Sequence, residues 1–144
     1  MSVLSNNLVN LIIRNTDTIT RRVMADIRKQ PGAKTYRALN DELLYIRVNE
    51  VYKEFNRFIL EETHREDVAR VYVALGKQRR EEGFALSEVI QALIICRRHI
   101  WLLVESEGFL DSALDLRMAI ALVNRSILFF DRAIFFTAVG YETK

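Results

Sequence analysis

The chain has 144 residues, 50% of them hydrophobic and 28% charged, enough for one domain with a proper core and far from the disordered or fibrous classes. Its net charge is +2, and its arginine doublets (Arg21-Arg22, Arg79-Arg80, Arg97-Arg98) are isolated, so no concentrated footprint for nucleic acid exists. One cysteine, Cys96, excludes an internal disulfide framework and suits a reducing, cytoplasmic compartment, and no signal-peptide pattern opens the chain.

Five long helices are expected, since glycine (5) and proline (1) are scarce. The first runs from Ser5 to Lys29 with the stripe Leu8, Ile12, Ile19, Val23 and Ile27, and Pro31-Gly32 ends it. Tyr36 and Leu39 pack a short connector. The second runs from Asp41 to Glu62, capped by Asn40, with Leu44, Val48, Val51, Phe55 and Ile59 on one face. The third opens on Thr63-His64-Arg65-Glu66, which fits a capping box, carries Val68, Val71, Tyr72 and Leu75, and stops at Gly83. Ser87 caps the fourth, which ends at Gly108, and the fifth runs from Ser112 to Val139. No strand alternation, repeat or linker interrupts this order. The expectation is a single all-α domain spanning 1–144.

The last helix carries two apolar stripes rather than one. Leu116, Ile120, Val123, Ile127, Phe130 and Ile134 form the first; Leu114, Met118, Leu122, Phe129 and Phe136 form the second. Arg117, Asn124 and Asp131, at seven-residue spacing, divide them on one side. Such a helix is either central to its own fold or shared with a second chain. Arg125 and Arg132 edge the second stripe, and charges beside an apolar seam suit a subunit interface. The expected homodimer seam is therefore Leu114, Met118, Leu122, Arg125, Phe129, Arg132 and Phe136. The helix does not read as a membrane span, because Asn124-Arg125 and Asp131-Arg132 break its apolar run well short of the roughly 18–20 residues required.

Arg97 lies inside the apolar arc of the fourth helix, among Leu93, Cys96, Ile100 and Trp101. An arginine there must be paired or must hold an anion. Pairing with Asp131 or Glu50 is the commoner outcome; receiving a ligand carboxylate at the mouth of an apolar pocket is the functional one. Arg79 falls on its own helix's apolar side, in the last turn, where a cation also complements the dipole. His64 sits at a helix start without the surroundings of a phosphoacceptor. His99 could serve a haem axially but has no supporting pocket feature, and Cys96, His64 and His99 lack metal-ligand spacing. No phosphate loop, nucleophile elbow or carboxylate pair is present, so no enzyme is expected.

The run from Gly76 through Arg79-Arg80-Glu81-Glu82-Gly83-Phe84-Ala85-Leu86-Ser87-Glu88 to Leu93, continuing to Arg97-Arg98-His99-Ile100-Trp101, resembles the N-terminal sensor domain of RsbR-type stressosome proteins, the RsbT co-antagonist N-terminal family. The closing Phe135-Phe136-Thr137-Ala138-Val139-Gly140-Tyr141 is similar to that family's last helix. The resemblance implies a globin-like, haem-less, homodimeric, non-catalytic domain of stressosome proteins or histidine kinases, with no cofactor. It implies an apolar ligand such as a fatty acid, lined by Leu75, Leu93, Trp101, Phe129 and Phe130, with Arg97 meeting the anion and Arg79 counted among the pocket residues. Ending at Lys144, such a domain is either excised or free-standing beside a kinase or stressosome partner. A haem-binding sensor globin using His99 and a ligand-free dimerisation or adaptor module are the alternatives; a DNA-binding regulator ranks below both.

Overall fold

The computed structural model describes residues 6–61, 63–107 and 112–143, with side chains from residue 9 onward. The expected boundaries at Ser5, Glu62 and Gly108, and the Leu8 side chain, lie outside the described residues. Among the described residues seven helices follow one another: α1 (Asn6–Arg14), α2 (Thr16–Lys29), α3 (Lys34–Ala38), α4 (Asp41–Glu61), α5 (Arg65–Glu81), α6 (Leu86–Ser106) and α7 (Ala113–Glu142). The fold is all-α, with no strand among the described residues.

The two extra helices have local causes. The first expected helix breaks at Asn15, whose side-chain amide donates to the Leu11 carbonyl at 2.8 Å while the Thr16 hydroxyl donates to those of Ile12 and Ile13. These side chains compete with the backbone ladder at the joint. The connector after Pro31-Gly32 winds into α3 and buries Tyr36. Asn40 caps α4 as expected, accepting from the Leu43 N–H at 2.8 Å.

Two caps sit elsewhere than the sequence suggests. The box before α5 is shifted by one residue: the Asp67 carboxylate accepts from the His64 N–H at 3.1 Å, so His64 rather than Thr63 is the cap. The cap of α6 is Ala85, not Ser87. Ala85 has no side-chain acceptor, and Glu88 supplies the bond instead, accepting from the Ala85 N–H at 3.0 Å. Glu88 also accepts from the Thr35 N–H and hydroxyl at 2.7 and 2.8 Å, which outweighs the preference for a local serine cap by tying α6 to α3.

The core is aromatic at its centre. Phe55 and Phe58 of α4, Tyr72 of α5 and Phe129-Phe130 of α7 meet with ring centroids 5.0–5.8 Å apart, in tilted and edge-on geometry. The expected stripe Ile12, Ile19, Val23, Ile27 and the α4 face Leu44 to Ile59 are all buried against it. Helices α5 and α7 pack most closely because Gly76 faces Gly140. A methyl group on either glycine would overlap the backbone of the other helix, at the Thr137 carbonyl or the Val73 carbonyl. Gly140 therefore lies inside α7 as a contact point, and the helix continues past it to Glu142 instead of stopping.

Candidate functional site

The turn between α5 and α6 builds the most unusual polar group in the fold. Gly83 adopts φ +90°, a left-handed conformation that glycine takes without strain. Its N–H donates to the Arg80 carbonyl and that of Phe84 to the Arg79 carbonyl, the pair of bonds that closes a Schellman turn. Phe84 is thereby turned back into the core against Tyr36, with ring centroids 4.6 Å apart.

Two guanidiniums lie over the Phe84 ring, Arg47 at 5.8 Å and Arg79 at 5.9 Å from its centroid. Both bind one carboxylate. Arg47 donates twice to Glu82, at 2.8 and 2.7 Å, and Arg79 donates once at 3.2 Å. Arg79 is only 6% exposed, so this corner buries more positive than negative charge. The Arg47 bonds, with the nearby Arg79 charge, hold the Glu82 carboxyl below the usual glutamate range despite the opposing effect of burial. Burial pushes the Tyr36 phenol up to about 12 against the opposite pull of Arg79.

Behind the guanidiniums runs an apolar crevice walled by Val48, Val51, Leu75, Val89 and Leu93, with Cys96 at its back. Burial raises the Cys96 thiol to about 12, so it stays protonated. The crevice is narrow, about 30 Å³, which is space for a water or two rather than for an acyl chain.

The sequence-derived pocket residues separate in space. Leu75, Arg79 and Leu93 line this crevice. Arg97 lies outside it, paired with Asp131 of α7 at 3.5 Å on the surface, one of the two carboxylates expected for it. Trp101 is exposed, while Phe129 and Phe130 fill the aromatic core. Tyr36 and Arg47 line the crevice and were not foreseen. A signal for Arg47 existed: it stands three residues after Leu44 and four before Val51, at the edge of the buried face.

His99 is tied down as well. Its Nε2 meets the Asp26 carboxylate at 2.9 Å, and Asp26 also accepts from the Gln30 amide at 2.9 Å. Burial alone would raise the Asp26 carboxyl; these two bonds pull it below its ordinary value. Binding a haem iron through Nε2 of His99 would require breaking the link it makes between α6 and α2.

On α7 the two stripes have unequal fates. Leu122, Phe129 and Phe136, expected at a subunit seam, are buried in the chain's own core. Arg125 lies over the Phe58 ring at 4.7 Å and reaches the Phe58 carbonyl at 3.4 Å, so it too faces inward. Met118 and Arg132 are half-buried, and Leu114 is exposed. For Leu122, Arg125, Phe129 and Phe136 the seam expectation is corrected on that physical ground: α7 uses these side chains to close over its own core. The face left open bears Leu116, Ile120 (53% exposed), Ile127, Leu128 and Phe135 (55%), beside Ile94 and Trp101 of α6.

The α7 exit is coupled to the crevice turn. The Tyr141 hydroxyl donates to the Phe84 carbonyl at 2.9 Å, and Arg80 donates to the Tyr141 carbonyl at 2.6 Å. Residues 16–144 match the family model described as the RsbT co-antagonist protein rsbRD N-terminal domain. The chain belongs to the RsbT co-antagonist N-terminal domain family. Membership places it with stressosome-type signalling sensor domains. No curated relative and no solved structure matches the chain, so the globin-like expectation rests on the resemblance alone. No helix among the described residues is long and apolar enough to cross a membrane, and no group of side chains suited to a metal ion occurs among them.

Proposed function

We propose that this RsbT co-antagonist domain works as a non-catalytic, homodimeric sensor in which the open face of α7 is the subunit seam. The observation that carries the reading is the self-complementary pattern on that face. Arg117 and Asp131 stand seven residues either side of Asn124. A two-fold antiparallel crossing at Asn124 sets Arg117 of one copy opposite Asp131 of the other, twice, where it would share that carboxylate with Arg97 of the Asp131 chain, and sets Ile120 opposite Leu128. Apolar side chains exposed to this extent along one helix are costly in a monomer and ordinary in an interface core.

The input side of the reading is the Arg47–Glu82–Arg79 corner. Glu82 occupies two guanidiniums in the position a ligand carboxylate or small anion would take, and the crevice behind offers apolar walls. An acyl ligand such as a fatty acid requires this crevice to widen. Displacing Glu82 would loosen the Gly83 turn, whose Phe84 carbonyl holds Tyr141 at the end of α7. A ligand with different affinity for the two turn conformations would thus shift the α7 exit, and a kinase or stressosome component is the partner suited to read it. Denaturing extraction of the purified protein followed by mass spectrometry tests the lipid version. Recovery of one acyl species at near-stoichiometric amount supports it, and its absence together with no response to added fatty acid leaves the domain as a ligand-free dimerisation module.

A further inference from the structure

The crevice behind Arg47 and Arg79 holds hydrogen-bonding capacity that the chain itself leaves unused. The Arg79 side chain is only 8% exposed, yet among the described residues its Nη1 alone has a partner, Glu82 at 3.2 Å. Its Nε and Nη2 donate to nothing there. Tyr36, 6% exposed, lies beside it and donates its hydroxyl to no described group. Burial keeps that phenol protonated at neutral pH. Both side chains line the crevice, and neither polar end is sealed off as the Tyr72 hydroxyl is. Donors held in such a place without an acceptor are costly. With Arg47 bidentate to Glu82, the corner also keeps one positive charge in excess.

A mostly buried guanidinium and a phenol with free donors on one cavity call for an anionic acceptor. The space beside them, about 30 Å³ with Val48, Val89 and Leu93 as walls, takes one or two carbons and no more. The geometry points to a binding site for a monocarboxylate of two or three carbons, acetate or propionate. Its oxygens accept from Arg79 and the Tyr36 hydroxyl, and its methyl or ethyl group lies against Val48, Val89 and Leu93. Such a ligand enters beside Glu82 without displacing it, and the crevice need not widen. This site rests on the reading of the corner as the input side, names the ligand class that fits it closed, and does not depend on the dimer.

Sodium propionate titrated at constant ionic strength, followed by methyl NMR of Val89 and Leu93 and by thermal melting, tests it. Saturable shifts of both side chains and a raised Tm are expected, and a weaker response to acetate. Tyr36→Phe keeps the ring against Phe84 and should lose about tenfold in affinity, since it removes a donor to a charged group. Ala92→Leu, at the crevice wall, should abolish binding by filling the space while leaving both arginines in place. Nitrate, which has no tail, and propionamide, which has no charge, are expected to leave both readouts unmoved. No saturable response to propionate, an equal response to nitrate or propionamide, or an affinity unchanged in Tyr36→Phe would each overturn the assignment. A response to octanoate in place of propionate would also overturn it, while leaving the long-acyl reading of the same corner standing.

Discussion

Gly140 of α7 meets Gly76 of α5 backbone against backbone, with no room for a methyl group on either side. Alanine at a mid-helix glycine normally gains up to about 1 kcal/mol in helix propensity. Here the overlap is with carbonyl groups, which cannot step aside as a side-chain tip can, and overpacking costs about 1–3 kcal/mol or more. Gly140→Ala and Gly76→Ala should therefore both lower the urea midpoint. Gly32→Ala is the control, since a methyl there meets only the Gln91 side chain at 3.8 Å and should be neutral or slightly stabilising.

Acid should weaken the α5–α6 turn before it weakens the core. Glu82, Glu88 and Asp26 all have carboxyls held below their ordinary values in the folded chain, Glu88 by its Thr35 and Ala85 bonds in opposition to burial. A depressed folded pKa means that the unfolded chain takes up protons first as pH falls. The contribution of Glu82 and Glu88 is full above the ordinary glutamate value of 4.5 and that of Asp26 above the ordinary aspartate value of 3.8, and each is lost progressively as pH falls below it. Stability measured by urea melts should be flat at neutral pH and fall as pH drops through that region. Glu82→Gln should flatten part of that fall while lowering stability at pH 7, because Arg79 loses its carboxylate.

The His99–Asp26 contact should behave as a structural link. His99→Leu removes one of the two side-chain partners of the mostly buried Asp26 carboxylate, leaving Gln30, and should cost about 1–3 kcal/mol by chemical denaturation. His99→Gln, which keeps a donor, should cost less. Haem added to the unmodified protein should produce no ligated Soret band; a stoichiometric band lost in His99→Leu would restore the globin alternative.

Helix content and most of the core were legible because they are periodic. The stripes from Ile12 to Ile27 and from Leu44 to Ile59 needed only spacing, and all of their described members are buried. Legibility failed where partners come from afar. Asp67 competes with Glu66 for the α5 cap, and Glu88 caps α6 while answering Thr35, 53 residues away. The two stripes of α7 are equivalent on a wheel, and only the position of Phe55, Phe58 and Tyr72 decides that Phe129 faces in and Ile120 out. The sequence leaves Arg97 a choice between a protein carboxylate and a ligand's, and Asp131 takes it. The Arg47–Glu82–Arg79 corner joins α4 to the end of α5, which no local pattern could announce.

Sedimentation equilibrium of the purified chain over micromolar concentrations tests the central claim most directly. The account predicts a dimer that Arg117→Asp weakens about tenfold or more and that Arg117→Asp/Asp131→Arg recovers in part, since the swap restores opposite charges across the two-fold axis although it gives up the Arg97–Asp131 pair. Ile120→Glu should give a folded monomer by the same measurement. A wild-type chain that stays monomeric at all these concentrations, or a dimer indifferent to Ile120→Glu, would contradict the assignment of the α7 face.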